Sequence, residues 1–140
     1  PVNFATEDLA TALGQLARNT SDDYGGQCSA ECPAGNLITD PTVATHVYRI
    51  AREAVHNAVK HGKPTRIWIR LSAEAGRILL TVSDNGSGIS AHPKPGPGLG
   101  LEIMNYRASM LCGRLEIRPL PDAERTGTVV ACSFPLTASE

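Results

Sequence analysis

Three stretches carry residue types that could do chemistry together. On residues 43–62, Arg49, Glu53, Asn57 and the Lys60-His61 pair step by three or four. On a helix, successive turns therefore present a cation, a carboxylate, an amide and another cation along one line. Downstream, Asp84-Asn85-Gly86-Ser87-Gly88 joins an aspartate, able to accept a hydrogen bond from an exocyclic amine, to two glycines that let backbone approach a flat ring. Gly96-Pro97-Gly98-Leu99-Gly100-Leu101 then precedes a helical stretch, where open backbone N–H groups and the positive end of the helix dipole attract phosphate oxygens. The chemistry these stretches could share is recognition of a ring that bears phosphates.

Each stretch also has a plainer reading. Polar residues on a helix are commonly its solvated face, and Arg49 with Glu53 could be a surface ion pair of about 0.3–0.5 kcal/mol. D-x-G-x-G is a common turn, and G-x-G-x-L alone is a weak signal. The dinucleotide fingerprint would need a preceding strand, a third glycine and an acidic residue about 20 positions on, and a Walker loop would need Gly-Lys-Ser/Thr. Neither pattern is present, so no Rossmann or P-loop site is expected. Cys28 and Cys32 are spaced C-x3-C, Cys112 and Cys132 stand alone, and His46, His56, His61 and His92 do not cluster with them in sequence. That spacing predicts reduced thiols rather than a tetrahedral metal set.

The elements that must position these residues are legible as hydrophobic periods. Val43, Val47, Ile50, Ala51, Ala54 and Ala58 form one buried stripe, so residues 43–62 read as an amphipathic helix with Asp40 as N-cap, Pro41 at the first position, and Gly62 and Pro64 at its end. Before it, residues 8–19 place Leu9, Leu13 (or Ala12) and Leu16 at helical spacing, with Thr6 and Glu7 suited to its start. A polar turn over 21–26 and a weak strand over 27–32 follow. Residues 66–72 alternate Ile67, Ile69 and Leu71 inward, and residues 77–83 do the same with Ile78, Leu80 and Val82, which predicts a hairpin turning at 74–76. The loop over 84–98 leads to a helix over about 99–111, with Leu101, Met104, Ala108 and Leu111 on its apolar side and Gly113 closing it. Strands over 114–119 and 128–134 complete the chain. The order predicts an α+β two-layer sandwich, a mostly antiparallel sheet with helices on one face.

The 140 residues fit one domain spanning 1–140. With 41% hydrophobic but only 4% aromatic residues, the core must be built from Val, Ile, Leu and Ala. A formal charge of −1 leaves no polybasic footprint, which argues against nucleic acid or an anionic membrane as the main partner. No apolar run approaches the roughly 20 residues of a membrane span. The chain opens at Pro1 without an initiator Met, so the expectation is a soluble piece excised from something longer.

The order of the pieces is more specific than any one of them. A helix with Glu53 and Asn57, then D-N-G-S-G after a strand, then G-P-G-L-G-L before a helix, then Gly127-Thr128 at the last strand closely resembles the ATP-binding domain of bacterial two-component histidine kinases. That domain belongs to a superfamily shared with gyrase, a heat-shock chaperone and a mismatch-repair ATPase. RIAREAVHNAVKHG and GLGLEIMNYRASMLCGRLEI resemble the subfamily of nitrate and oxygen sensors, and the likeness runs from about Asp8 to Leu136.

The resemblance implies a role for each matching position. Asn57 would reach Mg²⁺ bound to the triphosphate, Lys60 would contact phosphate, and Glu53 would be the base that polarises the attacking nucleophile. Asp84 would bind the adenine amine, Gly86 and Gly88 would shape the ring pocket, and Thr128 would support Asp84. Gly98, Leu99 and Gly100 would hold phosphates, with residues 89–97 as a lid stiffened by Pro93, Pro95 and Pro97. His61 also matches, with packing an equal reading. The resemblance implies Mg-ATP as cofactor, and as partners an upstream dimerisation and phosphoacceptor domain and, indirectly, a response regulator. None of the four histidines lies in an acceptor context, so the acceptor is expected outside this stretch, and the fragment is expected to be cytoplasmic and monomeric. Two alternatives stand beside this reading: an anti-sigma-type serine kinase, and a nucleotide-binding regulatory module without catalysis.

Overall fold

The structure is a computed structural model and describes residues 2–87, 100–121 and 126–136. Helix α1 (Leu9–Tyr24) leads into β1 (Gln27–Glu31). Helix α2 (Pro41–Asn57) continues into a π-helical turn (Ala58–Gly62), and β2 (Arg66–Glu74), β3 (Arg77–Asp84), α3 (Leu101–Met110), β4 (Arg114–Pro119) and β5 (Thr128–Pro135) follow. The five strands form one sheet in the order β1-β2-β3-β5-β4. Three neighbouring pairs are antiparallel, and β1 pairs with β2 in parallel. The parallel pair needs a crossover, and α2 supplies it.

Alternation along the strands sends Ile67, Ile69 and Leu71 of β2, Ile78, Leu80 and Val82 of β3, and Val130, Cys132 and Phe134 of β5 into a common core. Leu9 and Leu13 of α1 and the Val47, Ile50, Ala51 and Ala54 stripe of α2 cover them. The expected aliphatic core and α+β sandwich are what the chain forms.

The helix ends differ from expectation in instructive ways. Asp8, not Thr6 or Glu7, caps α1, its Oδ1 accepting from the Thr11 N–H at 2.7 Å. α1 also runs through residues 21–24, which were expected to turn. The Ser21 hydroxyl lies 3.0 Å from the Ala17 carbonyl and accepts from the Cys28 N–H at 2.8 Å, so it prolongs the helix and docks β1 on it. Gly25, at φ 81°, makes the turn instead. Asp40 caps α2 as expected, accepting from the Thr42 N–H at 2.8 Å, with Pro41 at the first position.

The last turn of the 43–62 helix is π-helical, and the left-handed residue that ends it is Lys63 (φ 47°), not Gly62. Likewise Cys112 (φ 55°), not Gly113, takes the left-handed position after α3. Gly113 provides room rather than a dihedral, whereas Gly62 has neither a positive φ nor a crowded Cβ position. A Cβ on Gly113 would sit 2.7 Å from the Ser133 carbonyl and 2.8 Å from the Phe134 Cβ. The 74–76 turn is a two-residue loop in which Ala75 and Gly76 both have positive φ (52° and 76°), the mirror-image turn that matches strand twist.

This division of labour is testable by urea unfolding. Gly113→Ala should lower stability by about 1–3 kcal/mol, because the added methyl meets backbone that cannot yield. Cys112→Gly, at an exposed left-handed position, should raise it by up to about 1 kcal/mol, with the urea slope unchanged in both variants.

Candidate functional site

β3 ends on Asp84. The period of two that buries Ile78, Leu80 and Val82 turns its carboxylate toward the helices, opposite Thr128 in the β3–β5 register. The chain then bends so that the Gly86 N–H donates to Asp84 Oδ1 at 2.8 Å. Burial pushes the Asp84 carboxyl above the usual carboxylate range, and the Gly86 hydrogen bond pulls partly back.

Asn85 holds this bend. Its Oδ1 accepts from the Thr65 and Arg66 N–H groups at 3.0 and 2.9 Å, and its Nδ2 donates to Thr65 Oγ1 at 2.9 Å. Gly86 rests on the end of the π turn, where a Cβ would collide with the Gly62 carbonyl, and the Ser87 N–H donates to that carbonyl at 2.9 Å. On the other side, Gly127 packs so closely on the Asp84 carbonyl that no Cβ fits between them. Glycine at 86 and 127 is therefore the condition for these segments to converge on one carboxylate.

The line on α2 meets this loop from the side. Asn57 ends the regular helix and is buried, and Glu53, one turn earlier, is half-buried. The Glu53 carboxylate occupies the space where a Gly100 side chain would be, and Gly100, with φ 61°, begins α3. Glu53 thus stands at the N-terminus of α3. Farther along the same helix pair, the Arg107 guanidinium donates to His46 Nδ1 at 3.3 Å. A guanidinium can only donate, so Nδ1 acts there as the acceptor, and burial and then Arg107 hold the His46 pKa below the ordinary value. Arg49 and Glu53 form no ion pair. Among the described residues the ion pairs are Arg70 with Glu31 and Arg118 with Glu116. Lys60 lies on the exposed side of the π turn away from the cleft wall, whereas His61 contributes to that wall.

A cleft lies between these elements. Its apolar walls come from Ala54 and Ala58 on α2, Leu101 and Met104 on α3, and Ile117 and Val130 on the sheet. Asn57, Asp84 and Thr128 are the buried polar residues among those described, at 8%, 6% and 4% exposure, and all three line this one cleft. A few fixed polar groups in an otherwise apolar slot are the usual make-up of a small-molecule site.

Glu53, Asn57, Asp84, Gly86, Gly100 and Thr128 are therefore brought together, while Lys60 is exposed on the π turn and does not line the cleft. Gly88, Gly98 and Leu99, and the 89–97 stretch expected as a lid, lie outside the described residues. Sequence reasoning assigned no role to Asn85 or Thr126. The first was signalled by an amide next to the aspartate at a strand end. The second, whose Oγ1 donates to the Gly86 carbonyl at 2.6 Å, had no signal in the sequence.

The family model described as histidine kinase-, DNA gyrase B-, and HSP90-like ATPase matches residues 42–138. The nitrate/nitrite sensor protein NarQ of Escherichia coli (strain K12) is 31% identical over 128 residues, covering 91% of this chain and 22% of that protein. The oxygen sensor histidine kinase NreB of Staphylococcus carnosus is 35% identical over 100 residues, covering 70% of this chain and 28% of its own. The chain thus spans roughly a quarter of the length of these curated relatives. Among solved structures, the histidine kinase domain of the Erythrobacter litoralis EL346 blue-light activated histidine kinase superposes with a TM-score of 0.76 at 22% identity, over 92% of this chain and 61% of that one. The histidine kinase domain of the Escherichia coli osmosensor EnvZ superposes with a TM-score of 0.67 at 22% identity, over 100% and 93%.

The raised pKa of Asp84 has a defined sign. A carboxyl whose folded pKa lies above its unfolded value of about 3.9 favours folding only while protonated, so its ionisation opposes folding as pH rises through the folded pKa. Asp84→Asn, whose amide oxygen can still accept from Gly86, should raise the urea midpoint at pH 7. That gain should fade toward about pH 3, where the parent is protonated in both states.

Proposed function

Because the chain belongs to the histidine kinase-, DNA gyrase B- and HSP90-like ATPase family, we propose that it binds Mg-ATP and donates the γ-phosphate to a histidine on a separate dimerising phosphoacceptor domain of a two-component sensor kinase. The observation that carries this reading is the convergence of the buried polar residues, Asn57, Asp84 and Thr128, in one apolar cleft. The chemistry of the cleft suits a purine. Its apolar walls take the ring faces, and the Asp84 carboxylate accepts from the exocyclic amine, with Thr128 beside it.

The donor set also suits a nucleotide-borne cation. Among the described residues no group of three or more His, Cys, Asp or Glu side chains could hold a metal. An ion would therefore arrive on the phosphates and gain the Asn57 amide oxygen as a hard ligand. Mg²⁺ would neutralise phosphate charge during transfer. Asn57 orients the phosphates from the end of α2, Gly100 opens the α3 N-terminus toward them, and Lys60 reaches in from the exposed turn. Glu53, held against that N-terminus, accepts the proton of the incoming nucleophile. Gly88, Gly98 and Leu99 complete the ring pocket and phosphate loop in this reading. A response regulator would take the phosphate onward. In this reading the catalytic segment lies in the cytoplasm and is monomeric by itself; no helix among the described residues is long and apolar enough to cross a membrane.

Calorimetric titration with a non-hydrolysable ATP analogue tests the site. Asp84→Ala should weaken binding by about a hundredfold or more, since it removes the one charged partner of the base. Asn57→Ala should keep nucleotide binding but lose its dependence on Mg²⁺, and should abolish phosphohistidine formation when the acceptor domain is supplied. Unchanged affinity in Asp84→Ala would overturn the site assignment, and phosphoserine in place of phosphohistidine would move the protein to the anti-sigma type.

A further inference from the structure

We propose that Thr126 is a positioning residue for base recognition: its hydroxyl latches the Gly86 carbonyl and thereby keeps the Gly86 N–H on the Asp84 carboxylate. The proposal rests on the reading of the cleft as the adenine site, and deepens it.

The geometry around Gly86 is one of opposed ties. Its N–H donates to Asp84 Oδ1 at 2.8 Å, and its carbonyl accepts from Thr126 Oγ1 at 2.6 Å. The preceding residue is anchored to the start of β2 by the Asn85 side chain, and the following N–H is bonded to the Gly62 carbonyl at the end of the π turn. Two of these ties come from side chains, and they pull in different directions. Asn85 binds the loop to β2, and Thr126 binds it to the segment that enters β5. Thr126 also precedes Gly127, which packs on the Asp84 carbonyl. A released Thr126 would therefore loosen both the N–H that faces the carboxylate and the backbone behind it.

Thr126 is itself exposed, so its hydroxyl is not needed to fill the core. A methyl in place of the hydroxyl, as in Thr126→Val, keeps the shape and removes the donor. The pH dependence of binding then separates positioning from bulk structure. The Gly86 hydrogen bond counteracts the effect of burial on Asp84, so loosening it leaves the carboxyl harder to ionise, and binding that needs the carboxylate fails at a higher pH.

The test is calorimetric titration of the whole chain with ATP and with inosine triphosphate, whose ring carries an oxygen where adenine has its amine, between about pH 5 and pH 8. Thr126→Val should raise the ATP Kd by about tenfold, narrow the preference for ATP over inosine triphosphate, and move the acid limb of binding to higher pH. Thr126→Ser should restore all three, and the thermal midpoint of Thr126→Val should stay near that of the parent. Parent-like affinity, preference and acid limb in Thr126→Val would overturn the proposal. A joint fall of the Val and Ser variants with the thermal midpoint would overturn it too, since that marks a merely structural role. An Asp84→Ala control that binds ATP like the parent would show instead that the adenine reading is wrong, and the latch with it.

Discussion

A carboxylate taken out of water costs several kcal/mol unless donors meet it, and the architecture here is arranged about one such group. Asp84 lies at the end of a central strand, turned into the helical layer by the period that builds the core, and receives one backbone N–H from its own loop. The rest of its desolvation is left uncompensated, which is why its pKa is raised. Such a site is destabilising in the free protein and is best relieved by a ligand that brings its own donor. The close approaches at Gly62, Gly86 and Gly127 are what let three separate segments wall off that carboxylate.

The second constraint is the pairing of α2 and α3. Glu53 lies against Gly100 and His46 against Arg107, so the two helices run past each other in opposite directions along one seam. The seam places the start of α3, where backbone N–H groups are open, beside the carboxylate and the amide of α2. The buried stripe of α2 fixes the depth of Asn57, because Ala54 and Ala58 beside it sit on the sheet. The line of residues at steps of three and four is in this sense a consequence of packing: the same helix period buries the aliphatic face and presents the polar one.

Much of this was readable from the chain because it is encoded in local periods. The stripe from Val47 to Ala54, the alternation of Ile67, Ile69 and Leu71, and the Asp40-Pro41 cap each specify an element through neighbours in sequence. Asp84 and Gly86 were also marked by their own residue types, and the Gly86 N–H joins them. What was not readable depends on contacts between distant segments. Gly62 and Gly113 look like helix stops, yet Lys63 and Cys112 take the left-handed positions, while Gly113 admits the Ser133 backbone and Gly86 admits the Gly62 carbonyl. Ser21 looks like a turn residue until Cys28 is placed beside it, and the parallel pairing of β1 follows only from the crossover through α2. Thr126 carries no signal until Gly86 is folded against it.

The central claim is that the buried Asp84 carboxylate reads the amine of a purine, and the most direct measurement is the titration of the Asp84 carboxyl carbon by ¹³C NMR in the free protein and with a saturating ATP analogue. An amine donating to the carboxylate stabilises its ionised form. The expected result is a pKa above the usual carboxylate range in the free protein that falls when the ATP analogue binds and does not fall with the inosine counterpart. An Asp84 titration unchanged by bound ATP analogue would contradict the claim, because the nucleotide would then be held somewhere other than on this carboxylate.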